Sequence, residues 1–186
     1  MASINKRIIS LRVGCNEMDG GRYINLMVGL LLDPDSTPQE VHFARKAIKD
    51  MAILPKNRTS LLKTMAERIE RLSLEPSNRV KIVDKKGHVY LLALLRNSES
   101  SPKVKEYAVR SLFRLTCEAK TNEKLVKAMI HIAMHGFLRD STATPRAIEN
   151  AVGIISILTC RPQYKTAILE VKGRIPMADV LRDSKS

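Results

Sequence analysis

Few residues in this sequence stand at spacings that could do chemistry. His131 and His135 lie four apart, which on a helix puts both imidazoles on one face, an arrangement able to hold zinc. A metal site needs at least one further ligand, and the intervening Ile132-Ala133-Met134 supplies no catalytic glutamate. The pair therefore reads as partly exposed histidines beside the core residues Ile132 and Phe137. The carboxylates Glu67 and Glu70 alternate with Arg68 and Arg71, which reads as a solvated ion-pair face on one helix. No nucleophile elbow, phosphate-binding glycine loop or Cys-x-x-Cys is present. No catalytic residue, metal or cofactor is expected, and the chain reads as a non-enzyme.

The elements that would carry these residues repeat. Ser101-Pro102 opens the run VKEYAVRSLFRLTC, and 43 residues later Thr144-Pro145 opens AIENAVGIISILTC without a gap. Ala108 matches Ala151, Leu112 matches Ile155, and Thr116-Cys117 matches Thr159-Cys160. An earlier copy starts at Thr37-Pro38-Gln39-Glu40. Each copy begins as a helix should: the Ser or Thr oxygen accepts from free first-turn amides, proline follows where no amide is missed, and Glu40 completes a capping box with Thr37. Apolar residues then recur every three or four positions, so each helix must bury one stripe. The stripes are Val41, Ala44, Ile48, Met51; Val104, Ala108, Leu112, Leu115; and Ile148, Ala151, Ile155, Leu158.

Around these copies, Arg22 to Leu32 and Pro38 to about Ala52 predict helices. Pro55-Lys56-Asn57 reads as a break, Thr59 to Ser73 as a helix with Leu62, Met65, Ile69 and Leu72 on one side, and Glu75-Pro76-Ser77 as its end. The 59–73 helix phases either as the third helix of a degenerate repeat or as an insertion. From Asn78, the run NRVKIVDKKGHVYLLALLRN is similar to armadillo repeats, in which a short helix turns sharply near a glycine into a leucine-rich second helix. Asn78, Ile82, Val83, Gly87, Leu91, Leu92, Leu94 and Leu95 carry that resemblance. A bulky residue at Gly87 would obstruct the corner. Gly173 matches it two periods later, whereas Ile130 stands at the intermediate corner and predicts a straighter, HEAT-like join.

The resemblance implies an all-α, right-handed α-solenoid of armadillo-like repeats with a period of about 43 residues. It would span residues 22–182, behind a flexible leader at 1–21 and before a tail at 183–186. The last copy stops after two helices: either its second helix is a cap, with Asp179, Arg182 and Asp183 facing water, or the chain is a fragment of a longer solenoid, and an uncapped apolar face would favour self-association. In armadillo proteins that bind extended peptides, the groove positions carry over to Lys46 and Asp50, Arg110 and Arg114, and Gly153 and Ile157. The Trp and Asn of importin-α-like proteins are absent there, so cargo recognition of that kind is not implied. Arg110 and Arg114 resemble instead the basic grooves of β-catenin-like proteins, where guanidinium forks grip carboxylates. Lys46, Lys49, Arg71, Arg110 and Arg114 are the expected partner contacts, Arg71 depending on how the 59–73 helix is phased.

Composition bounds the partner. Lys and Arg outnumber Asp and Glu by 32 to 19, a net charge of +13 that favours acidic partners. Only 4% of residues are aromatic, too few for base-stacking platforms. The run LMVGLLL at 26–32 is too short to span a bilayer, and no secretory signal opens the chain, so an intracellular location, cytoplasmic or nuclear, is expected. Cys117 and Cys160 are expected as small buried hydrophobes about 10 Å apart, beyond disulfide reach, and Cys15 as a free thiol in the leader. The leading expectation is a scaffold or adaptor binding an extended acidic protein segment. A nucleic-acid-associated helical repeat and a structural segment of a larger adaptor or ubiquitin-ligase component are the alternatives.

Overall fold

Among the described residues, six of the ten helices begin on a proline, and this fixes the layout of the fold. The computed structural model describes residues 20–33 and 35–169. They form α1 (Gly20–Leu32), α2 (Pro38–Met51), α3 (Pro55–Leu72), α4 (Pro76–Asp84), α5 (Gly87–Arg96), α6 (Pro102–Cys117), α7 (Asn122–Lys127), α8 (Ile130–Phe137), α9 (Pro145–Thr159) and α10 (Pro162–Leu169). A 3-10 turn at Ala119–Thr121 leads into α7, and there is no strand among the described residues. The chain is all-α. Cys15, Gly173, Asp179, Arg182, the leader up to residue 19 and the 183–186 tail lie outside the described residues.

Helix starts follow their caps. Thr37 Oγ1 accepts from the Glu40 amide at 3.3 Å, while a Glu40 carboxylate oxygen accepts from the Thr37 amide at 2.9 Å, the expected capping box. Ser101 and Thr144 accept from the amides of Val104 and Ala147 in the same way. At Pro55 and Pro76 the outcome differs from the expected breaks. Each proline both excludes the preceding helix and serves as the first residue of the next, because its ring presets the helical φ and it has no amide to leave unpaired. The helix expected from Thr59 therefore starts four residues earlier.

Two tight corners join short helices. Lys86, before α5, and Met129, before α8, have φ of 63° and 62°, the left-handed region, and they are 43 residues apart. A non-glycine residue there costs about 1–2 kcal/mol, which the surrounding packing must offset. Gly87 is needed for space: a Cβ would lie 2.7 Å from Ile82 Cγ2 and 3.0 Å from the Ile82 carbonyl oxygen. At the second corner Ile130 replaces glycine and is fully buried, yet the backbone still passes through the left-handed region at Met129. The expected straightening there is not seen in the backbone. The left-handed residue precedes the helix, so the residue after it need only fit its own surroundings.

The apolar stripes meet in one connected core. Ala108, Leu112 and Leu115 on α6 and Ala151 and Leu158 on α9 are fully buried, and α6 packs along α9 on one side and α3 on the other. Helix α1 packs against α2 and α3, whereas α2 touches α3 only lightly. Thr116 and Thr159 each donate a hydroxyl hydrogen bond to the carbonyl four residues back, Leu112 and Ile155. Their neighbours behave otherwise. Cys117 and Cys160 are exposed free thiols, not buried, because one ends α6 and the other caps α9, where the chain turns out of the core.

Substituting Gly87→Ala is expected to destabilise the fold by about 1–3 kcal/mol, since the new methyl meets a backbone oxygen that cannot swing aside. Gly136→Ala, where a Cβ would meet nothing within 4 Å, should leave stability unchanged or raise it by up to about 1 kcal/mol. Urea denaturation of the two variants beside the parent checks both.

Candidate functional site

The arginines expected in the groove are turned inward by one acid. Glu70, near the end of α3, has an Oε1 that lies 3.2 Å from Arg110 and 2.9 Å from Arg114, both on α6. Arg114 also donates to the Glu70 backbone carbonyl at 3.1 Å. Arg110 lies 3.7 Å from Glu106 one turn earlier, and its guanidinium carbon sits 5.2 Å from the Tyr107 ring centre. Glu106 in turn accepts from the Thr144 hydroxyl at 2.9 Å, at the start of α9. The arginine side chains are only 16% and 21% exposed. Two cations thus face two carboxylates in a shared network that ties α3, α6 and α9 together. The expected solvated face at Glu67 to Arg71 is corrected accordingly: Glu70 faces α6, because the α3 stripe that packs there brings the edge of the helix with it.

The other expected contacts stand elsewhere. Lys46 and Lys49 are exposed on α2 beside exposed Arg45, spaced so that the three share one side of the helix. Arg71 is exposed in the last turn of α3. Next to the α2 lysines the structure opens a cleft of about 380 Å³, lined by Tyr23 of α1, Phe43, Lys46, Ala47, Asp50 and Met51 of α2, and Leu54 and Asn57 at the turn into α3. Lys46 and Asp50, one turn apart, were legible as groove positions; the apolar lining was not. Its signal is present in the sequence as Ile53-Leu54 between two helices, large aliphatic residues where a turn usually carries polar ones, and they are 69% and 51% exposed. Gly153, also a carried-over groove position, is closed off by Phe113, whose ring would lie 2.7 Å from a Cβ.

The histidines are more deeply placed than expected. His131 is 4% exposed, and its equivalent across the corners, His88, is 6% exposed; neither Nδ1 has a hydrogen-bond partner. Both sit in the first turn after a left-handed residue, which swings that turn into the core. Burial pushes the His88 imidazole below its ordinary range, with Lys124 and Lys86 adding to the effect and a hydrogen bond to the Val83 backbone opposing it. Burial does the same to His131, aided by the half-buried His135. Ile132, expected in the core, is exposed instead. Among the described residues no three His, Cys, Asp or Glu side chains cluster to hold a metal ion.

A second inter-helix pair joins Lys105 of α6 to Asp140 after α8, at 2.6 Å. Hydrogen bonds from Lys105 and Thr142 hold the Asp140 carboxyl down to about 2. Among the described residues no helix is long and apolar enough to cross a membrane. No family model matches the chain, and neither curated proteins nor solved structures give a significant match.

Removing the shared acid, Glu70→Gln, should cost about 1–3 kcal/mol, because two part-buried guanidiniums lose their charged partner. Arg114→Met should then cost less in that background than in the parent; equal costs in a double-mutant cycle would refute the coupling. The depressed histidines predict a pH dependence of known sign. Below about pH 6.5 the unfolded chain binds more protons than the folded one, so this contribution to stability is complete above that pH and declines as the pH falls below it. Denaturation midpoints of His88→Gln/His131→Gln should fall less steeply over that window than those of the parent.

Proposed function

We propose that this chain is a non-enzymatic scaffold or adaptor of armadillo-like build, and that it captures an extended acidic segment of another protein. In this reading α4, α5 and α6 form one repeat, and the 3-10 turn with α7, α8 and α9 forms the next, stacked as a right-handed solenoid of about 43 residues per repeat. The recurrence of left-handed residues at 86 and 129, of capping hydroxyls at 101 and 144, and of threonine back-bonds at 116 and 159 supports that period. The packing of α3 on α6 and of α6 on α9 favours phasing α3 as a third helix.

The observation that carries the binding assignment is the cleft beside α2, whose lining is mostly apolar and includes Lys46. Arg45 and Lys49 carry further positive charge on the same helix outside the cleft lining, and Asp50 lies within it. Apolar anchors would supply affinity, and the basic side chains would steer the acidic segment and set its register. Arg110 and Arg114 belong to the frame in this proposal, since their charge is already matched by Glu70 and Glu106. A phosphate backbone is disfavoured by the same pairing, which takes two cations out of any continuous basic track.

Selection from a random peptide display library on the immobilised chain tests the reading. Enriched peptides should carry two or more Asp or Glu beside an apolar residue, and Lys46→Glu/Lys49→Glu should weaken them at least about tenfold, roughly 1.4 kcal/mol. Enrichment without acidic character, equal binding by the reversed-charge variant, or preferential capture of single-stranded or duplex oligonucleotides would overturn it.

A further inference from the structure

The outward side of α5 and α8 carries a pattern that the cleft does not use. Val89 and Ala93 are exposed on α5, and Ile132 and Gly136 are exposed at the corresponding places on α8. Val89 and Ile132 are 46% and 44% exposed, and Met129 beside them is 50% exposed. The two helices pack against each other, and these exposed residues hold matching positions on them, 43 residues apart. In a chain of which 27% of residues are charged, neither helix carries a charge from Gly87 to Leu95 or from Ile130 to Phe137. A solvated helix face normally alternates polar groups there, and contiguous exposed apolar surface marks an interaction site.

The charges that border this face choose its occupant. Lys86 and Arg96 are exposed at the two ends of α5. Three neighbouring carboxylates are already engaged with cations, Asp84 with Lys124 at 2.5 Å, Glu123 with Lys127 at 2.6 Å, and Asp140 with Lys105, and Glu99 beyond Arg96 accepts from Thr59. The excess at the border is therefore positive, and the net charge of +13 opposes a second copy of the chain. Small residues at 93 and 136 let another backbone approach closely, with open space at Gly136. We infer that the α5–α8 face docks an acidic amphipathic helix of a partner protein. Its apolar residues at i, i+3, i+4 and i+7 lie over Val89, Ala93, Ile132 and Gly136, and its carboxylates meet Lys86 and Arg96 about 15 Å apart.

The probe is a synthetic helical peptide of leucine and glutamate with leucines at that spacing, beside a control with lysine for glutamate, titrated by fluorescence anisotropy into the full chain. The glutamate peptide should bind saturably at micromolar concentration and the lysine peptide should not. In a Lys46→Glu/Lys49→Glu background, which removes any contribution of the α2 cleft, saturable binding should remain, and adding Val89→Asp/Ile132→Asp should weaken it at least about tenfold. Gly136→Glu, whose side chain enters open space, provides a second variant with the same expected loss and no demand on the core. Several outcomes overturn the inference: no saturable binding, equal binding of the lysine peptide, or indifference to both the double variant and Gly136→Glu. A dimer in sedimentation that Ile132→Asp dissolves would give the face to a second copy. Co-flotation with anionic phosphatidylserine vesicles that Ile132→Asp abolishes would give it to a membrane surface.

Discussion

Every helix in this protein is short of partners by itself, and the constraint that governs the structure is that each must lay its apolar stripe against a neighbour. Helix α6 shows the consequence most fully. Ala108 and Leu112 are buried without residual exposure, and α6 is covered by α3 on one side and by α9 on the other. Alanine at the centre of the contact lets the axes come close, and leucines fill the flanks. Burial of this kind has no direction, so something else must fix which way the edges of the helices face.

Polar contacts at those edges supply the direction. Glu70 reaches from α3 to two arginines on α6, and Glu106 passes the connection to Thr144 on α9. Lys105 and Asp140 bind α6 to the segment after α8. These pairs are part-buried, so each is less screened than a surface ion pair, and loss of one member strands the other. They also redistribute a basic chain's charge: Arg110 and Arg114, which look like a ladder along the sequence, become internal, while Arg45, Lys46 and Lys49 on α2 and Lys86 and Arg96 at the ends of α5 stay exposed. The binding surfaces follow from that redistribution more than from net charge.

Much of the fold is readable in the residues. Thr37, Ser101 and Thr144 cap helices as their chemistry dictates, and the apolar spacing of α6 and α9 marks the buried side correctly. Gly87 sits where a methyl has no room. The misreadings share a cause. Cys117, Cys160 and Ile132 lie at or near helix ends, where the periodic rule loses its hold because the next turn of helix is missing or redirected. His131 is buried for the same reason, since the left-handed Met129 sets the first turn of α8 at an orientation that periodicity cannot specify.

Local chemistry in the sequence determined where helices start and stop, that the described fold is all-helical, and which flank of each long helix is apolar. Those properties depend on residues within one or two turns of each other. Tertiary structure alone decided that Glu70 meets Arg110 and Arg114, that Leu54 and Phe43 open into one cleft, and that Val89 and Ile132 stand on a common outward face. Such facts depend on groups some forty residues apart, or on separate helices, brought together by packing. A hydrogen-bonded ion pair needs its groups within about 4 Å, so no pattern along the chain can state which cation an acid will find.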